Sequence, residues 1–287
     1  MELIYGISSF PALQASRGIT TLAVAYFGYD DLPRDPTKID LELFEEAVDI
    51  VTSMPNTVPD RCGVWSSCIG SIFGLLLGIH CNKVKAVASV NGAVIPFGTQ
   101  VRFRGEVLTA PMIKLASKHM NFDKDLVAWP RHDVIANWLS RRNNNAIHAG
   151  GASNDTRFLM ITTADCAFGG PMHAKVFKDL SELHGNINVE HLKYDYGGHI
   201  IEPPYSSFNS YVYNPYWPYR EGGPELPTPG CNLASGGSVE DNYRVMEDMW
   251  SKILRFVYKN VRDDSVWYQE TLQKTKEKTK AAAVAAN

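Results

Sequence analysis

The chain carries no excess charge of either sign, no paired-cysteine motif and no apolar stretch long enough to cross a bilayer. Each lack closes off a class of function. Lys and Arg total 28 against 31 Asp and Glu, a net charge of −3, so nothing in the balance points to nucleic acid or an anionic membrane surface. The five cysteines (62, 68, 81, 166 and 231) are odd in number, scattered and free of Cys-x-x-Cys spacing. That argues against a disulfide framework or a zinc site, so no metal is expected and a reducing, cytoplasmic compartment is. The opening "MELIYGISSF" lacks the basic and apolar regions of a leader. No run approaches the roughly 18 apolar residues of a membrane span. The final "AAN" carries no peroxisomal ending, and a peroxisomal or mitochondrial location is the alternative for which no signal is visible. No internal repeat is present.

What is present is enough apolar material for a full core, 45% hydrophobic and 11% aromatic in 287 residues. "TTLAVAYFGYDD" (20–31) is a nearly continuous apolar run closed by turn residues, as expected of a parallel strand buried on both faces. "DLELFEEAVDIVTS" (40–53) places Leu43, Phe44, Ala47, Val48 and Val51 at helical spacing with Asp40 available as a cap. "CGVWSS" (62–67), "IGSIFGLLLGIH" (69–80) and "VKAVASVNG" (84–92) read as strand, helix, strand. Later come the strand "FLMITTAD" (158–165), the helix "PMHAKVFKDLSELH" (171–184), the strand "INVEHLKYD" (187–195) and the amphipathic helix 240–261. This alternation predicts an α/β architecture with a mostly parallel sheet flanked by helices. Residues 93–157 and the proline-dense 203–238 read as irregular excursions, and 263–287 as a low-complexity, mobile tail.

Between the strand at 62–67 and the following helix stand Ser66, Ser67 and Cys68. A sharp strand-to-helix turn that lifts a nucleophile above the sheet demands small residues two before and two after it. Ser67 is flanked there by Trp65 and Ile69, and Ser66 by Val64 and Cys68. Cys68 alone fits, with Ser66 before it and Gly70 after it. A helix N-terminus also favours a thiolate. The alternative account is that Cys68 is a small buried hydrophobe, as most free cysteines are.

A thiol nucleophile needs a base, and the base needs a partner that holds its tautomer. His199 follows a strand, after Gly197-Gly198 and before Pro203-Pro204, in a loop suited to presenting a side chain. His80, His184 and His191 fall on or beside predicted helix and strand faces, and His119, His132 and His148 lie in the irregular region unranked. Asp165 follows the strand "FLMITTA" at the carboxyl edge of the sheet, where catalytic groups of α/β proteins gather, although a turn or capping aspartate reads the same way. The order Cys68, Asp165, His199 is the nucleophile, acid, histidine order of α/β-hydrolases.

"YFGYDDLP", "FEEAVDIV", "GVWSSCIG", "VNGAVIPFG" and "GGHIIEPPY" together resemble the C-terminal catalytic domain of the acyl-CoA thioesterase and bile acid-CoA:amino acid N-acyltransferase family, from about Ala12 to Val261. The resemblance implies an α/β-hydrolase fold over 1–262 and an acyl group passed from coenzyme A onto Cys68, with Asp165 and His199 completing the triad; their separation, 199 − 165 = 34, fits the family pattern. Coenzyme A then enters only as part of the substrate and no other cofactor is expected. The family usually carries a β-sandwich domain ahead of the catalytic one, which is expected to be absent here, and the first-strand loop reads as shortened. The oxyanion donors expected are the amides of Ile69 and of the loop starting at Gly6. The expected activity is fatty acyl-CoA hydrolysis, with transfer to glycine or taurine or a non-catalytic acyl-CoA-binding scaffold as alternatives. The aromatic "YSSFNSYVYNPYWPY" is expected either to wall an acyl pocket or to be a packed loop. A dienelactone-hydrolase-like enzyme shares the Cys, Asp, His order without "GHIIEPPY".

Overall fold

The computed structural model describes residues 9–26, 30, 32, 38–55, 57–96, 100–109, 117–141, 146–214 and 231–262. Along the chain these form α1 (Ser9–Ala15), β1 (Lys38–Asp40), α2 (Glu42–Ser53), β2 (Cys62–Ser67), α3 (Gly70–His80), β3 (Val84–Val90), β4 (Gln100–Phe103) and β5 (Glu106–Val107). They continue with β6 (Met120–Phe122), β7 (Val127–Pro130), α4 (His132–Arg141), β8 (Arg157–Thr163), α5 (Gly170–Leu183), β9 (Val189–Tyr194), β10 (Tyr211–Asn214), β11 (Cys231–Ala234) and α6 (Val239–Val261). Gly6 and the tail 263–287 lie outside the described residues.

The central sheet has the order β2-β3-β8-β9 and every pair in it is parallel. Its strands show two-residue periodicity in what they cover. Phe158 and Met160 of β8 join the core beneath α3 and α5, whereas Leu159 and Ile161 join the core beneath α6. Helices therefore cover both faces, which is why the two inner strands, β3 and β8, read as mostly apolar runs. α3 is buried almost all round, from Ser71 to Gly78, and it lies unusually close to the sheet. A Cβ at Gly78 would stand 2.5 Å from Val87 Cγ2, and one at Gly74 2.5 Å from Ser66 Oγ. Two smaller sheets, β1-β4-β5 and β10-β11-β7-β6, are built from strands that precede, interrupt and follow those of the central sheet along the chain. No helix among the described residues is long and apolar enough to cross a membrane.

Three local expectations are corrected. The apolar segment expected as a strand over 20–31 makes no ladder in its described part, residues 20–26, and Leu22 and Ala23 are exposed. Apolarity does not make a strand without a neighbour to pair with, and among the described residues β2 is paired on its β3 side alone. Asp40 does not cap α2: the cap position is Leu41, with no side-chain hydrogen bond. Asp40 instead ends β1 and accepts from Arg102 Nε at 2.9 Å and Nη2 at 3.1 Å. The tract 203–238 is not wholly irregular, since β10 and β11 pair antiparallel within it.

Candidate active site

Cys68 sits between the end of β2 and the start of α3 with φ +51°. A residue bearing a Cβ pays about 1–3 kcal/mol for that left-handed backbone, which persists where surrounding contacts impose it. Here the Cys68 amide donates to Val90 O at 3.1 Å, and its carbonyl accepts from Ser71 N at 3.2 Å and Ala93 N at 3.1 Å. Both sides of the turn are thereby tied to the loop leaving β3. Ser66, two residues before, packs against Gly74. Gly70, two after, faces more space than the steric rule requires, because a Cβ there would meet nothing nearer than Tyr26 Oη at 3.9 Å. The amide of Ile69, the N-cap residue of α3, donates to no carbonyl among the described residues, which leaves it available to an oxyanion. Tyr26 packs on Phe44 and Phe73. Burial, with Cys68 nearby, pushes its hydroxyl pKa well above the ordinary value.

His199 is placed by residues far away in sequence. Its amide donates to Ser235 O at 2.6 Å, and its carbonyl accepts from Asn91 Nδ2 at 3.0 Å. Asn91 Nδ2 also reaches Gly198 O at 3.0 Å and Thr163 Oγ1 at 2.9 Å, while Asn91 Oδ1 accepts from the Thr163 amide at 3.0 Å. One buried carboxamide therefore fastens the ends of β3 and β8 to the histidine loop. Asn242 Oδ1 accepts from Gly198 N at 2.7 Å. Gly198 itself admits no side chain, because a Cβ there would lie 2.0 Å from Gly236 O. The imidazole is 5% exposed, rests against the Phe168 ring at 4.5 Å, and is pushed down to about 4 by burial, which penalises its charged form. Its Nε2 is buried with no hydrogen-bond partner among the described residues.

The structure does not bring Asp165 to this histidine. After β8 the chain turns, with the Asp165 amide donating to Gly197 O at 3.0 Å, and the Asp165 side chain faces solvent. The next residue points inward. Cys166 is 1% exposed, and its Sγ lies 3.1 Å from His199 Nδ1. Among the described residues no hydrogen bond joins Asp165 to His199, and the contact belongs to a thiol that no residue-type rule would have selected. Also missed were Asn91 and the buried His173 of α5. His173 Nδ1 accepts from Val94 N at 3.3 Å, and burial, with His199 nearby, holds this group at about 3. Positive φ at Asn91, +45°, is common enough for Asn at strand ends that an "NG" after an apolar strand is a usable signal. For Cys166 and His173 no such signal exists.

The remaining histidines make contacts of their own, His119 among them against the Trp138 ring. His191 hydrogen-bonds Thr162 Oγ1 at 2.8 Å, His184 stacks on His148 with centroids 4.0 Å apart, and His80 packs against Phe103. His132 Nε2 lies 3.2 Å from Ala167 O, over the loop that carries Cys166. Among the described residues no group of three or more His, Cys, Asp or Glu is gathered as a metal site would require. Of the aromatic tract, Tyr205, Tyr211 and Tyr213 are exposed, and 215–219 fall outside the described residues.

A parallel sheet flanked by helices, a thiol on a left-handed strand-to-helix turn and a histidine on the loop after the last central strand define the α/β-hydrolase class. Within that class the chain belongs to the family described as BAAT / Acyl-CoA thioester hydrolase C terminal, whose profile matches residues 39–263. Its relatives include acyl-coenzyme A amino acid N-acyltransferase 2 of Mus musculus, 29% identical over 260 residues, covering 90% of this chain and 58% of the relative. Bile acid-CoA:amino acid N-acyltransferase of Homo sapiens is 27% identical over 275 residues, with the same 90% and 58% coverage. Acyl-coenzyme A thioesterase 1 of Mus musculus is 25% identical over 251 residues, covering 87% of this chain and 56% of the relative. The chain thus spans little more than half the length of these relatives.

Proposed function

We propose that this chain cleaves fatty acyl-CoA thioesters through an acyl-Cys68 intermediate, releasing the fatty acid to water. The observation that carries the reading is Cys68 itself, held at φ +51° at the head of a buried helix. A free thiol in a core has no need of such a turn, whereas a nucleophile does.

His199 Nε2 takes the Cys68 thiol proton as Sγ attacks the thioester carbonyl, and the Ile69 amide stabilises the oxyanion. The bond between the carbonyl carbon and the coenzyme A sulfur breaks, and that sulfur leaves with the proton from His199. Water then attacks acyl-Cys68, His199 accepts its proton and returns it to the Cys68 sulfur, and the carboxylic acid departs. A second acceptor is favoured by the identity of the nucleophile: a thioester intermediate reacts more readily with an amine than with water, so glycine or taurine would intercept acyl-Cys68 to give the N-acyl amino acid. Five free cysteines and a thiol nucleophile suit a reducing compartment.

Intact-protein mass spectrometry after adding a long-chain acyl-CoA should show one acyl increment that is lost in Cys68→Ala protein. Free fatty acid, N-acylglycine and N-acyltaurine are quantified in parallel with each amine supplied. Binding of acyl-CoA with no increment and no product formed faster than with Cys68→Ala would replace the enzymatic reading with that of a binding scaffold.

A further inference from the structure

We propose that the Cys166 thiol occupies the position of the triad acid and orients the His199 imidazole toward Cys68, making this a Cys68–His199–Cys166 arrangement. The observation is the 3.1 Å approach of Cys166 Sγ to His199 Nδ1 between two side chains that are 1% and 5% exposed. The chain order 68, 166, 199 keeps nucleophile, acid position and histidine in α/β-hydrolase sequence. Asp165 is exposed and makes no hydrogen bond to His199 among the described residues.

The surroundings of Cys166 are those of an anion site. Sγ accepts from the Gly170 amide at 3.4 Å, and the amides of Phe168 and Gly169 also direct hydrogen bonds to it. These donors open the 14-residue α5, at its positive end. Burial nonetheless outweighs them and pushes the thiol up to about 12, with the nearby Cys68 adding in the same direction. An uncharged thiol at this position can hold the ring in place, but it supplies no negative charge to the imidazolium that forms when His199 takes a proton. A carboxylate does both. Cys166 is accordingly a positioning residue that leaves His199 a weaker base than the fold can support, and the amide donors around it are ready to accept an aspartate.

The inference rests on the acyl-Cys68 reading only in taking Cys68 as the group His199 serves, so its test avoids acyl-CoA. The rate of Cys68 alkylation by iodoacetamide, followed by peptide mapping, is measured from pH 5 to 9 on the full chain and on Cys166→Asp, Cys166→Ser, Cys166→Ala and Asp165→Ala. The titratable groups facing the pair are Cys68, His173 and, beside Cys68, Tyr26, and these are common to all the variants. Cys166→Asp should alkylate about tenfold faster near pH 6 and show a plateau below pH 7, as a thiolate–imidazolium pair does. Cys166→Ala should be several-fold slower than the parent, and Asp165→Ala should match it. Should Cys166→Asp not fold, Cys166→Ser decides: it keeps a hydrogen-bonding atom and should react faster than Cys166→Ala. Equal profiles for Ser and Ala, or a larger loss in Asp165→Ala, overturn the proposal. A chain that passes this test yet forms no acyl adduct would refute the acyl-CoA reading and leave the positioning role standing.

Discussion

His199 and His173 are held neutral by burial, at about 4 and about 3 against an ordinary value of 6.5. As pH falls through 6.5 the unfolded chain binds a proton at each site that the folded chain refuses. Stability contributed by this pair is therefore present above pH 6.5 and is lost on acidification toward pH 4. Between pH 6.5 and pH 5 the gap is about 1.5 units per site, or roughly 2 kcal/mol each at about 1.4 kcal/mol per unit. Some 4 kcal/mol in total is a large share of the 5–15 kcal/mol typical of a domain. His80, His148 and His191 are shifted the same way, and Glu202, whose carboxyl burial pushes upward, opposes them. Comparison with His199→Gln removes these common contributions. Urea unfolding at pH 7.5 and pH 5.0, followed by tryptophan fluorescence, should show a loss of stability on acidification that is smaller by about 2 kcal/mol in the variant than in the parent. Equal losses in the two proteins would mean that His199 is not buried in neutral form, and the account of the site would fall with it.

Three further perturbations follow from single contacts. Asn91→Ala strips the buried Thr163 amide of its acceptor and the His199 loop of its tie to β3, so a cost of about 1–3 kcal/mol in thermal unfolding should appear together with slowed Cys68 alkylation; a destabilised protein with parental alkylation would separate the two roles. Gly78→Ala drives a methyl to 2.5 Å from Val87 Cγ2 and 3.0 Å from Phe158 Cε1, costing about 1–3 kcal/mol by denaturant midpoint, whereas Gly151→Ala, with 3.5 Å to Ile79, should be near neutral. Arg61 donates from Nε to Val261 O at 2.7 Å and from Nη2 to Asn260 O at 2.9 Å. It holds the last carbonyls of α6 against the entry to β2, so Arg61→Ala should lose about 1–3 kcal/mol, and Arg61→Lys, with a single charged head, should not recover all of it.

How far the site could be read in advance varied with how local its cause is. Cys68 was visible because small residues two positions either side mark a sharp strand-to-helix turn, although only the Ser66 side proves crowded, and α3 because Gly74 and Gly78 stand in an otherwise apolar helix. The strands β3 and β8 were visible because burial on both faces leaves a mostly apolar run, whereas β9, with Glu190, His191 and Lys193 partly or fully exposed, showed itself by strand-like alternation. Segment 20–26 shows the limit: its residues are strand-like, yet a ladder is made by two partners and its composition names only one. β10 and β11 were hidden by the opposite circumstance, short strands of four residues set among prolines and glycines that read as turns.

The sequence by itself determined a parallel α/β fold and singled out Cys68 as the candidate nucleophile and His199 as the candidate base, since each depends on residue types within a few positions. Only the tertiary structure decided what touches His199. Asn91, Ser235 and Asn242 reach its loop from separations of 36 to 108 residues. Whether Asp165 or Cys166 faces the imidazole depends on the direction the chain takes as it leaves β8. That direction is set by the Asp165 amide bonding to Gly197 O, a contact between two loops that no reading of either one alone contains.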